Sequence, residues 1–184
     1  VVRPGDANET AAAWAEILAR PGEPVGIALS RQNLTVNATA QAAAEGVRRG
    51  AYVLAEATDA GGGQVSPEVV LIATGSEVGV AVAARDILQK EGTPTRVVSA
   101  PCLEWFAQQD AAYREQVLPA GTARVAIEAG IALGWREIVG DAGEIVSLDH
   151  YGSSAPGAAL FEEHGFTGQD VAARARQALA RTRG

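Results

Sequence analysis

The run Val69-Val70-Leu71-Ile72-Ala73 limits this chain more than any other feature of its sequence. A strand with one wet face alternates apolar and polar residues. Five apolar residues in a row, three of them β-branched, instead describe a strand covered on both faces, the usual state in a parallel sheet between helices. Thr74-Gly75-Ser76-Glu77 follows with the spacing of a helix start and opens an Ala/Val-rich helical pattern to about residue 91, where Gly92 supplies a left-handed stop.

The alternation then continues. It predicts strands at 95–99, 124–128 and 144–148, and helices at 110–117 and 132–139. A further helix runs from Ser154 and Pro156 to about 164 with Gly165 as its end, and Thr167 and Asp170 cap a last one to about 182. Strand–helix alternation on this scale means an α/β domain with a largely parallel sheet covered by helices.

The amino-terminal quarter is less regular. Asp6 and Glu9 have capping-box spacing before a helix at 7–20 that carries Trp14, Ile17 and Leu18 on one face, and Pro21-Gly22 stops it. Residues 24–29 form an apolar run of strand length. Residues 34–44 show neither period and read as a linker or surface crossing, so the domain boundary is expected near residue 45. A strand at 50–56 and a flexible loop at 59–64 precede the regular part.

Charge and composition exclude several classes. The chain has 184 residues, 22 acidic and 15 basic, for a formal net charge of −7, and its arginines form no compact patch. Such a surface repels phosphate backbones, which argues against nucleic-acid binding. No apolar run reaches the roughly 18 residues of a membrane span. The single cysteine, Cys102, rules out an internal disulfide framework and a multi-cysteine metal site, and without a basic neighbour it reads as a small core residue. The start has no signal-peptide layout, so a cytoplasmic protein is expected, and the lack of any methionine predicts a fragment of a longer chain.

Motifs with chemistry are few. Gly75 and Ser76 at a strand-to-helix turn are a weak candidate anion site, but without a phosphate-loop or dinucleotide fingerprint a plain helix cap is the better explanation. His150 and His164 have no metal-ligand spacing, and neither Ser99 nor Ser153-Ser154 lies in a nucleophile elbow. Arg31 differs, because it directly follows an apolar run. In open α/β sheets ligands bind beyond the carboxyl ends of strands, and a guanidinium there offers a planar fork for phosphate or carboxylate. An interdomain salt bridge is the alternative.

Several blocks, in order and over nearly the whole chain, resemble the last third of a transketolase. They include residues 3–10 (RPGDANET), 29–34 (LSRQNL), 50–54 (GAYVL), 72–78 (IATGSEV), 96–99 (RVVS), 117–119 (VLP), 151–156 (YGSSAP) and 165–167 (GFT). The spelling of residues 98–106 is similar to actinobacterial members. The resemblance implies that residues 1–45 are the end of the pyrimidine-binding domain with its linker. Residues 46–184 would be the complete carboxy-terminal domain, a three-layer α/β/α unit with a mostly parallel sheet.

Enzymes of this family are homodimers that move a two-carbon ketol unit between sugar phosphates with thiamine diphosphate and a divalent cation, Mg or Ca. The resemblance assigns Arg31 to the sugar phosphate. It places the catalytic, cofactor and metal residues in the upstream diphosphate- and pyrimidine-binding domains, so the chain alone is expected to bind no cofactor and to be inactive. Two other readings remain at this point: the end of another thiamine enzyme such as a deoxyxylulose-phosphate synthase, and a non-catalytic dimer scaffold or regulatory anion-binding domain.

Overall fold

A computed structural model describes all of residues 1–184. The chain forms α1 (Ala7–Leu18), α2 (Ala40–Arg49), β1 (Tyr52–Ala55), β2 (Val69–Ala73), α3 (Glu77–Lys90), β3 (Thr95–Ser99) and α4 (Leu103–Ala107). It continues with α5 (Ala111–Val117), β4 (Ala123–Ile127), α6 (Trp135–Val139), β5 (Glu144–Val146), α7 (Gly157–Glu163) and α8 (Gly168–Arg183). The five strands make one sheet in the order β1-β3-β2-β4-β5, parallel except for β1, which runs antiparallel to β3.

Strand β2 is central and fully buried, as its composition requires. Val69, Leu71 and Ala73 point into a core shared with Val78, Ala81, Ala84 and Leu88 of α3 and with Val171, Ala175 and Ala178 of α8. Val70 and Ile72 point the other way, onto Phe106 of α4, Val117 of α5 with its cap Leu118, and Trp135 and Val139 of α6. The period of two thus feeds two helical layers, and the three-layer α/β/α arrangement follows.

Some expectations give way. Residues 34–44 are not all linker: α2 begins at Ala40, with the Thr39 hydroxyl accepting from Ala42 N and Gly50 closing the helix at φ 86°. Its buried face is Ala43, Gly46 and Val47, too small and too sparse to show as an apolar stripe. Residues 24–29 make no strand, only a single bridge between Val2 and Ile27, because no further extended segment lies beside them. Helix α4 was not foreseen. In α1 the buried residues are Glu9 and Ala13, whereas Trp14 and Leu18 are exposed at 48% and 75%.

The predicted cap at Asp6 forms, since Oδ1 accepts from Glu9 N at 2.9 Å. Glu9 does not reach back to Asp6, though. It accepts from Gly5 N at 2.6 Å. The helix start at Thr74–Glu77 has no side-chain cap; Ser76 adopts helical angles and its hydroxyl donates to Glu77 instead.

Candidate functional site

Three features converge near the amino-terminal segment, residues 2–9, which runs across the carboxyl edge of the sheet. Val2 pairs with the 26–28 backbone, Arg3 N donates to Pro101 O at 2.7 Å, and Gly75 N donates to Arg3 O at 3.0 Å. The sheet reverses its order between β2 and β4, and beyond the ends of those two strands lies the crevice where open α/β folds take ligands.

Here that crevice holds side chains of the chain itself. Thr74 follows β2, and its hydroxyl donates to Glu128 Oε2, just after β4, at 2.8 Å. Glu77 and Glu128 are both buried, and Arg3 bridges them: Nη2 donates to Glu77 Oε2 at 3.2 Å and Nη1 pairs with Glu128 Oε1. Burial pushes the Glu77 carboxyl up, while Ser76 and Arg3 pull it back. Gly75 and Ser76 therefore sit beside two carboxylates and one already paired guanidinium. An added anion would have to face Glu77.

The second feature is a buried carboxylate at the root of α1. Glu9 Oε1 accepts from Tyr52 Oη of β1 at 2.7 Å and from Ser99 Oγ of β3 at 2.6 Å, so one side chain ties α1 to two strands of the sheet. Burial raises its pKa, and the bonds from Ser99, Gly5 and Tyr52 lower it.

The third is the loop that carries Arg31. Arg31 is exposed and forms no ion pair. Leu29, Ser30, Gln32, Asn33 and Leu34 line a groove of about 400 Å³ against Asp6, Ala7 and Thr10. On the other side of the same loop Gln32 and Asn33 share a second groove with Ser76 and Phe161. The two regions singled out in the sequence, around Arg31 and around Ser76, are thus neighbours.

The remaining candidates have plain surroundings. Cys102 is buried, and burial raises its thiol pKa. His150 and His164 approach with ring centroids 5.0 Å apart, a pairing invisible at fourteen residues' separation, but no third ligand joins them. No three His, Cys, Asp or Glu side chains gather so as to hold a metal ion. The buried carboxylates Glu77 and Glu128 share one counter-charge, Arg3. Engaged by Arg3, they do not fit a divalent cation.

Fold and site define a three-layer α/β domain packed, through buried carboxylates, against the amino-terminal segment of the same chain. A family model described as the transketolase-like C-terminal domain matches residues 50–167. A transketolase of Mycobacterium tuberculosis is 55% identical over 184 residues, covering 97% of this chain and 26% of that protein. A transketolase structure from Leishmania mexicana matches with a TM-score of 0.86 and 34% identity, over 100% of this chain and 25% of that one. A structure titled as a split-gene transketolase, an inactive β4 tetramer, matches with a TM-score of 0.74 and 26% identity, over 97% of this chain and 57% of that one. The chain belongs to the transketolase family, in its carboxy-terminal part, and spans about a quarter of the length of the curated relatives it matches. No helix is long and apolar enough to cross a membrane.

Proposed function

We propose that this chain is the carboxy-terminal part of a thiamine diphosphate-dependent transketolase, and that its direct contribution to substrate is Arg31, which holds the phosphate of the sugar. The whole enzyme transfers a two-carbon ketol unit from a ketose phosphate to an aldose phosphate. One observation carries the assignment to Arg31: it is an unpaired guanidinium on an exposed loop whose two ends are bonded down. Fixing the remote phosphate orients the reacting carbon and contributes binding energy to the chemical step.

The chemistry itself falls to residues outside this chain. Nothing here gathers metal ligands, and at the strand reversal Arg3 is paired with Glu128. We read residues 1–45 as the end of the pyrimidine-binding domain and 46–184 as the carboxy-terminal domain, with α2, which spans the division, as the joint. Exposed Trp14, Leu18, Leu133 and Tyr151 suit contacts with the upstream domains and with a second subunit. The isolated chain is inactive on this reading, in keeping with the inactive β4 tetramer named for the split-gene relative.

Arg31→Ala in the complete enzyme tests the assignment. Losing a charge-assisted fork costs roughly 1.5–3 kcal/mol, so KM for sugar phosphates should rise about tenfold or more. Unchanged kinetics with phosphorylated substrates would contradict it.

A further inference from the structure

We infer that Asp6 is a positioning residue for Arg31, fixing the far end of the Arg31 loop so that the guanidinium meets the sugar phosphate in one place. The inference rests on the phosphate-binding role proposed for Arg31.

Residues 29–36 contribute no helix or strand and form no backbone–backbone hydrogen bond, so the loop takes its position from its ends. At the near end Val2 N donates to Gly26 O at 2.8 Å and Ala28 N to Val2 O at 2.9 Å. At the far end Asp6 Oδ2 accepts from Asn37 N at 2.8 Å and Ala38 N at 2.9 Å, and Asn8 Nδ2 donates to Ala38 O at 2.9 Å. One short segment, residues 2–8, therefore holds both ends, with Arg31 between them.

The chemistry of Asp6 separates this role from helix capping. A cap needs one acceptor, and Ser, Thr or Asn supplies it. Here Oδ1 caps α1 through Glu9 N, and Oδ2 is left for two further backbone donors. An asparagine would turn its own donor toward those amides. The helix alone does not require a carboxylate; the loop does. The group is buried, with 4% of the residue exposed, so water cannot take over the lost bonds.

The readout is the ratio of kcat/KM for an aldose phosphate acceptor to that for the same aldose without phosphate, measured in the complete enzyme. Asp6→Ser keeps a helix cap and gives up the carboxylate that ties the loop. The ratio should fall about tenfold, since misplacing a binding group by an ångström is enough for such a loss. The double variant Asp6→Ser, Arg31→Ala should fall no further than Arg31→Ala alone. Equal losses on both acceptors, or additive losses in the double variant, would overturn the positioning role while leaving Arg31 as the phosphate contact. An unchanged ratio in Arg31→Ala would instead overturn the phosphate reading and this inference with it. Amide hydrogen exchange of the wild-type enzyme gives a check that needs no variant. Asn37 and Ala38 should exchange more slowly than Thr35 and Val36, and equal rates would contradict the tie.

Discussion

Glu9 is a carboxylate with almost no water and three donors, and the balance of those facts sets its behaviour. Burial disfavours its charge, and Ser99, Gly5 and Tyr52 partly restore it. Because the net shift is upward, the folded chain takes up a proton at higher pH than the unfolded chain. Its contribution to stability is greatest below the ordinary carboxylate range and declines as pH rises through the raised value. Glu9→Ala removes the acceptor for two hydroxyls and a backbone amide, and should cost about 2–4 kcal/mol in unfolding experiments; a loss near zero would mean the cluster adds nothing.

Arg3 has the complementary role, as the counter-charge for two buried carboxylates. Arg3→Gln should destabilise by about 2–4 kcal/mol at neutral pH. That loss should shrink as pH falls through the raised Glu77 value, because a protonated carboxyl needs no counter-ion. Thermal unfolding across that range checks the sign, and a loss that grows on acidification would refute it. Of these roles, only the Asp6–Glu9 spacing was legible in the sequence. Tyr52 and Ser99 lie 43 and 90 residues from Glu9, and no local pattern connects them.

At the scale of elements, helix α2 shows where local preference and packing disagree. Glycine in a helix interior costs about 1 kcal/mol relative to alanine, so Gly46→Ala should help on propensity alone. A Cβ on Gly46, however, would lie 2.2 Å from the Tyr52 ring, which is itself held by Glu9. We expect a net loss of about 1–3 kcal/mol, seen as a lower midpoint in thermal or denaturant unfolding. A gain would show that α2 is free to shift away from the sheet.

The same contest explains which elements could be read beforehand. Strands β2 and β3 and helices α3, α5 and α8 carry strong apolar runs or caps such as Asp110 and Thr167, whose oxygens accept from Tyr113 N and Asp170 N. Helix α2 buries only small residues, and α4 is five residues long, so neither leaves a period to detect. The run at 24–29 was apolar enough for a strand, but a strand needs a neighbour, and only Val2 provides one.

At the scale of the molecule, the sequence shows that the sheet is mostly parallel but not the order of its strands. The reversal between β2 and β4, and the crevice it creates, exist only once the chain is folded. The Arg31 strand-end argument was legible for the opposite reason, since it needs only an apolar run and a following guanidinium. Its details differ all the same: the run is a bridged segment, and the loop's position comes from Asp6 and Val2.

The domain thus acts as a brace. It holds the amino-terminal segment through Arg3 and Glu9, and Asp6 of that segment holds the Arg31 loop. The central claim is a division of labour, with a phosphate contact in this chain and the chemistry elsewhere. A coupled ketol-transfer assay on a pair of pentose phosphates tests it most directly, comparing the isolated chain with the complete enzyme, each supplied with thiamine diphosphate and Mg²⁺. The complete enzyme should turn over and the isolated chain should stay at background, whereas turnover by the isolated chain would contradict the account.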